Sequence, residues 1–187
     1  WNFPSKRTNL MVDCSRLDKE MLERKIEVLI TEKTLENRFQ IALLTPENVK
    51  ETGKFVSSNC SKSWFVEMQH VIPKNGKNDE PTKFGMIVRN LEKEEIVGFV
   101  AIGGTNPNWL GPMGVKKSHR RMGLGSLLVL RAFLHLKSIG KKNFEQKNII
   151  IPWVNKQNII FYGEAIGAKI HAQFYKTTKF IAAEKDS

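Results

Sequence analysis

Residues 109–125 constrain the fold of this chain more than any other stretch. A short apolar run, residues 109–115, leads into Lys116-Lys117-Ser118-His119-Arg120-Arg121-Met122-Gly123-Leu124-Gly125. A helical pattern follows, carrying Leu124, Leu127, Leu128, Phe133 and Leu134. The local order is therefore strand, basic double-glycine turn, helix. Glycine in such a turn lets the backbone approach a ligand closely and point successive N–H groups outward. The helix start adds unpaired donors and the positive end of its dipole, so a pyrophosphate would be well received there. Lys116, Lys117, Arg120 and Arg121 supply full charges around it. The pattern is not a Walker loop, because Gly-Lys-Ser/Thr is absent. It is not a dinucleotide fingerprint either, because only two of the three glycines are present and no parallel strand with an acidic end follows.

Two prolines sharpen this reading. Pro112 falls inside the strand before the turn, and Pro152 inside a buried-looking strand, residues 148–154, after the helix. Proline cannot donate to a ladder and is disfavoured in central strands. If the two strands are neighbours that splay apart, each proline sits where a ladder bond is missing, and the gap exposes backbone groups to a peptide-like ligand. The alternative is that each proline marks an edge or a bulge.

The rest of the chain reads as a mixed α/β (α+β) pattern. Leu17, Met21, Leu22, Ile26 and Leu29 predict an amphipathic helix over residues 18–30. Residues 39–44 read as a strand, and Thr45-Pro46-Glu47 reads as the capped start of a helix carrying Val49, Phe55 and Val56. A further helix is expected over 63–72, ended by Pro73, then a polar loop over 74–81. Residues 83–89 and 95–103 form a hairpin signal around the charged turn 91–94. The helix after the glycine turn stops at Ser138-Ile139-Gly140. A short helix over 157–166 and a last strand over 169–181, long enough for two segments, complete the order. An antiparallel hairpin thus precedes a β-α-β unit.

Composition narrows the partners. With 41% hydrophobic and 26% charged residues in 187, the chain can bury a sizeable core in one domain. No apolar run approaches the roughly 20 residues that a membrane helix requires. Residues 1–7 do not read as a signal peptide, since no apolar run follows them. Cys14 and Cys60 are far apart with no metal-ligand spacing, which fits reduced thiols in the cytoplasm and no metal, with a catalytic cysteine or a disulfide as the alternatives. The net charge of +11 calls for an anionic partner, and the densest basic cluster sits at the glycine turn. That placement fits a phosphorylated cofactor better than nucleic acid, which needs a basic face interleaved with aromatics.

The stretch from Leu110 to Ala168 resembles the GNAT superfamily of acyl-CoA-dependent N-acetyltransferases. Gly111-Pro112-Met113-Gly114-Val115 resembles the family's splayed fourth strand, and Arg120-x-x-Gly123-x-Gly125 resembles its pyrophosphate loop. Asn155-Lys156-Gln157-Asn158-Ile159-Ile160-Phe161-Tyr162 resembles its N-x-x-A-x-x-F-Y segment, with Asn158 in place of alanine. Weaker similarity reaches back to Arg38. The glycine-proline strand further resembles the C-terminal half of tandem GNAT proteins. The resemblance implies a domain over 38–187, with 1–37 as an N-terminal extension and linker helix left from a preceding copy.

It also implies a mostly antiparallel, twisted sheet with splayed central strands, flanked by helices. Acetyl-CoA would be the co-substrate, held by Met113, Gly114, Val115, Arg120, Arg121, Met122, Gly123, Leu124, Gly125, Ser126 and Asn155. Tyr162 is the acid by family position, with a packed core tyrosine as its alternative. Asn155 reads equally as a helix cap. The N–H of Gly114 or its neighbours would polarise the thioester carbonyl. No carboxylate lies in 109–115, so Glu67, His70, a water, or an already neutral amine would serve as base. His119 reads as a turn residue near the phosphates, and His135 and His171 as surface positions. Trp64, Trp109 and Trp153 read as core or as walls of an acceptor pocket. The acceptor is a small-molecule or peptide amine, with no membrane and no nucleic-acid partner, and a homodimer is left open. The alternative to catalysis is a silent acyl-CoA-binding module acting as a sensor.

Overall fold

A computed structural model of the chain describes residues 5–72, 82–139 and 148–176. The expected loop over 74–81, the stops at Pro73 and Gly140, and the last strand beyond residue 176 lie outside these.

Helix α1 (Lys19–Glu32) begins where the Asp18 carboxylate accepts the Met21 N–H at 2.6 Å, and it buries Leu22 and Ile26. After β2 (Phe39–Leu43) the chain makes a turn rather than a helix start. Thr45 does not cap α2 (Val49–Asn59), which begins one turn later at Asn48. The Asn48 amide is used on the turn itself, accepting from the Thr45 N–H at 2.9 Å and donating to the Leu43 carbonyl at 2.9 Å. Helix α3 (Lys62–Gln69) is shorter than the expected 63–72, and Ser61 caps it. The hairpin of β3 (Phe84–Asn90) and β4 (Glu95–Ile102) and the strand β5 (Leu110–Val115) follow as expected. Next come α4 (Leu124–Ser138), β6 (Asn148–Val154), α5 (Lys156–Ile166) and β7 (Lys169–Lys176).

Two antiparallel sheets carry these elements, one in the order β2-β3-β4-β5 and the other β6-β1-β7, where β1 is Ser5–Asp13. Among the described residues a single parallel bridge, Trp109 to Ile150, joins them. One face of the four-stranded sheet packs Val88, Val100 and Ile102 against Leu128 and Phe133 of α4. The other face packs Ile87, Phe99 and Ala101 against Phe55, Val56 and Met68 of α2 and α3. No helix among the described residues is long and apolar enough to cross a membrane.

The strand β1 had no counterpart in the sequence reading. Thr8, Leu10 and Val12 alternate into the core at 3%, 0% and 1% exposure, opposite Val154, Ile151 and Ile149. Residues 5–32, grouped apart as an extension in the sequence reading, thus share one hydrophobic cluster with α4, β6 and α5. Both prolines lie in bulges. Ala101 faces two residues, Gly111 and Pro112, and Asn9 faces Pro152 and Trp153.

Leu10→Ala should therefore cost about 2–5 kcal/mol, as a fully buried leucine does. Denaturant unfolding that shows the same loss for Leu10→Ala and for Leu128→Ala of α4 would fit one shared core. A Leu10→Ala loss below about 1 kcal/mol would place β1 outside it.

Candidate functional site

The two sheets separate at β5 and β6. Beyond the Trp109–Ile150 bridge, where the Ile150 N–H donates to the Asn108 carbonyl at 2.8 Å, no ladder joins these strands among the described residues. Strand alternation then fixes which backbone groups face the gap. The Lys116 N–H donates to the Val97 carbonyl at 2.7 Å, on the β4 side, and Gly114 shares that direction. The N–H and carbonyl groups of Met113 and Val115 therefore face the open edge. Of the residues around Gly114 considered as donors, these two neighbours are the ones so directed. On β6 the same alternation from Ile150 puts the missing N–H of Pro152 on the gap side, whereas that of Pro112, two residues before Gly114, is on the β4 side, so Pro112 fits the bulge alternative and not the splayed one.

The glycine turn lies at the open end of this gap. Lys117–His119 form a short 3-10 turn, Arg121 has φ +64°, and Gly123 caps α4 with φ +84°. Gly123 has no side chain to cap the helix, so the N–H groups of Leu124, Gly125 and Ser126 have no acceptor among the described residues. The Leu124 side chain itself is in the core at 1% exposure, leaving its N–H for the site. Arg120 bends back along β5, its Nε donating to the Val115 carbonyl at 3.1 Å. Arg121 and Lys117 are exposed. Lys116 is turned away from the turn, its ammonium bonded to Glu95 at 2.6 Å, and this bond holds the Glu95 carboxyl below its usual range.

His119 is a turn residue, as read, and its side chain is folded inward. Its ring is 7% exposed, with Nε2 3.3 Å from the Asn90 amide, Nδ1 3.0 Å from the Ser118 hydroxyl, and its edge on Phe39. Burial pushes its pKa down, so it anchors the turn to the β3 end as a neutral ring. His135, read as a surface position, is half-buried, since it packs on Phe84, and burial lowers its pKa. His171 is exposed, as read.

On the far wall, Tyr162 of α5 is 6% exposed and its hydroxyl points across to the Met113 sulfur at 4.0 Å. Burial raises its pKa far above the ordinary tyrosine value. Asn155 caps α5, its Oδ1 accepting the Asn158 N–H at 2.9 Å. Phe161 packs where a Cβ on Gly125 would be, at 3.3 Å. Above β5, a Cβ on Gly114 would meet the Cys60 sulfur at 2.7 Å and Phe99 at 3.1 Å. Cys60 is half-buried, and burial raises its pKa against the opposing pull of Arg120. Neither Cys14 nor Cys60 is in a disulfide.

Glu67 and His70 are both engaged with the loop before β5. Glu67 accepts the Thr105 hydroxyl at 2.7 Å, and His70 Nδ1 lies 3.2 Å from the Gly104 carbonyl. Trp64 leans edge-on against Phe99 at 36% exposure, and Trp153 stands 53% exposed against Phe174. A wider groove of about 650 Å³ between α1, β2 and α4 contains none of the site residues read from the sequence. Sequence reasoning missed the Arg120–Val115 bond and the Cys60 cover over Gly114, for which no local signal exists.

A family model described as "Acetyltransferase (GNAT) family" matches residues 50–168. Similar solved structures include the GCN5-related glucosamine N-acetyltransferase region of a fungal multi-domain GH3 beta-N-acetylglucosaminidase, with TM-score 0.65 and 16% identity. That match covers 91% of this chain and 20% of the other. A tandem GNAT protein from the clavulanic acid biosynthesis pathway has TM-score 0.57 and 15% identity over 94% of this chain and 53% of its own. A GCN5-related N-acetyltransferase-like protein from Streptococcus suis has TM-score 0.56 and 11% identity over 91% and 59%. At these identities the likeness is one of fold, and the chain spans a fifth to three fifths of the chains it resembles. No curated protein matches it.

Because burial keeps Tyr162 protonated, its folded pKa is raised above the unfolded value of about 10, and it contributes stability that fades as pH climbs past that value. The ultraviolet titrations of the intact chain and of Tyr162→Phe should coincide up to about pH 11. An extra ionisation in the intact chain below that pH would mean the hydroxyl is open to water.

Proposed function

Since this chain belongs to the GNAT acetyltransferase family, we propose that it is an acetyl-CoA-dependent N-acetyltransferase that moves an acetyl group to a primary amine by direct attack. One observation carries the reading: an open strand edge on β5 runs into a helix start with three uncapped N–H groups. Such a surface fits a ligand with an amide-bearing arm at one end and a pyrophosphate at the other.

The donors of Leu124, Gly125 and Ser126 hold the phosphate oxygens, with Gly123 letting the backbone come close and Met122 beside it in the turn. Arg121 and the free N–H groups of Arg120 supply charge. Met113 and Val115 pair with the arm through their open-edge backbone groups, and Gly114 keeps that face of β5 flat. Arg120 already occupies the Val115 carbonyl, so it either shares that oxygen with the arm or yields it. The Asn155 amide nitrogen, left free by the cap, donates to the arm as well. Bound acetyl-CoA supplies a thioester whose carbonyl carbon accepts the amine. The amine nitrogen forms the new C–N bond, the C–S bond breaks, and the departing sulfur takes the proton of the Tyr162 hydroxyl. Burial keeps the Tyr162 hydroxyl protonated and so present as a donor beside the cleft, while making it a weaker acid than an exposed tyrosine.

Proton removal from the amine goes through water, since β5 carries no carboxylate and Glu67 and His70 are bonded to the loop at Gly104 and Thr105. The same engagement of Glu67 and His70 favours a second reading, a silent acyl-CoA-binding module. We take the acceptor to be a small-molecule or peptide amine and the working compartment to be the cytoplasm, in keeping with two unpaired thiols.

Calorimetric titration with acetyl-CoA tests the reading. The intact chain should bind at micromolar Kd, and Arg120→Ala and Gly123→Val should each weaken binding at least tenfold, about 1.4 kcal/mol. Absence of binding by the intact chain would sink the cofactor assignment. Tyr162→Phe should lower kcat by about 10²–10⁴-fold at unchanged Kd, the range for loss of a general acid. Tight binding with no turnover on any amine would instead favour the silent module.

A further inference from the structure

We propose that α1 completes the nucleotide end of the cofactor site, an inference that rests on the acetyl-CoA reading above. The helix touches the glycine turn directly, with Leu29 Cδ1 and Lys33 Cγ each 3.1 Å from the place of a Cβ on Gly123. Next to this contact a cavity of about 360 Å³ opens between α1, the first turn of α4 and α5. Ser126, which bears one of the uncapped N–H groups, is part of its wall, so the cavity adjoins the place where phosphates would be held. Its volume is within the range of small-ligand sites.

The lining suits an adenosine 3′-phosphate rather than a simple anion. Val28 and Leu29 of α1 and Phe161 and Ala165 of α5 give the cavity apolar lining against which a purine would pack. Glu32 and Glu164 also line it, and their carboxylates would accept from the exocyclic amine. Arg24 is exposed and makes no hydrogen bond or ion pair among the described residues, leaving its fork for a terminal phosphate. Lys25 is committed to the Ala165 carbonyl at 3.2 Å, tying α1 to α5 and fixing the width of the pocket. Two cations and two carboxylates make the pocket neutral overall. A bare anion gains little from that, whereas a nucleotide carrying both a donor amine and an acceptor phosphate uses both signs.

The test uses three probes in calorimetric titrations: CoA, dephospho-CoA, which lacks the 3′-phosphate, and 4′-phosphopantetheine, which lacks the nucleotide. The intact chain should prefer CoA to dephospho-CoA at least fivefold. Arg24→Ala should erase that preference while leaving dephospho-CoA unchanged. Val28→Trp, which fills the pocket from a position 48% exposed, should weaken both nucleotides at least fivefold and spare 4′-phosphopantetheine. If the intact chain binds all three probes equally, α1 has no part in recognition, although the cofactor assignment stands. Equal weakening of CoA and dephospho-CoA by Arg24→Ala would also overturn the phosphate role. No binding of CoA at all would remove the cofactor reading and this inference together.

Discussion

The contact between Trp109 and Ile150 is where β5 and β6 part, and the rest of the molecule is arranged around the consequences. Two parallel strands that stayed paired would satisfy one another and leave no opening. Here each keeps a partner on one side only, β4 for one and β1 for the other. The inner edges carry backbone donors and acceptors that an ordinary sheet would not leave bare. Both strands are bulged beside a proline, which adds local twist and bends each strand on its outer ladder. Helix α4 then starts from the end of β5 with its own donors uncapped, so two kinds of unsatisfied backbone meet in one cleft.

How much of this was legible in the sequence depended on the range of the interaction responsible. The turn at Gly123, the helix after it and the strand before it are local, and glycine, proline and apolar spacing report them directly. The hairpin around residues 91–94 is legible for the same reason. The strand β1 was not, although Thr8, Leu10 and Val12 alternate. Arg7 and Asn9 complete that alternation, but Thr8 is itself polar and Met11 apolar, which leaves it short, and its partners lie at the other end of the sequence. Cap choice at α2 was misread because Thr45 and Asn48 both have capping chemistry. Tertiary context decided it, with Asn48 spending its amide on the backbone of the turn.

Side-chain destinations were the least legible. The basic run before Gly123 reads as a uniform cluster, yet Lys116 is spent on Glu95 and His119 is folded inward against Asn90 and Phe39. Arg120 is split between the Val115 carbonyl and the open end of the cleft. Three neighbours of similar type thus have three different environments. The net charge of +11 accordingly overstates the field at the turn, which comes from Lys117, Arg120 and Arg121.

The position of β1 also bears on how the molecule comes to be folded. The four-stranded sheet and α2 to α4 are drawn from the middle of the chain and can collapse on short loops. The other sheet has its central strand near one end of the sequence and both flanking strands near the other. Its pairing therefore closes the largest loop the described chain contains, the slowest kind of contact to make. During synthesis β1 must wait, its apolar side uncovered, until β6 and β7 have emerged. On that order the cleft would gain its second wall with this late pairing. A nascent chain is thus unable to present the site half-built, and the exposed strand in the interval is where a chaperone would be of use.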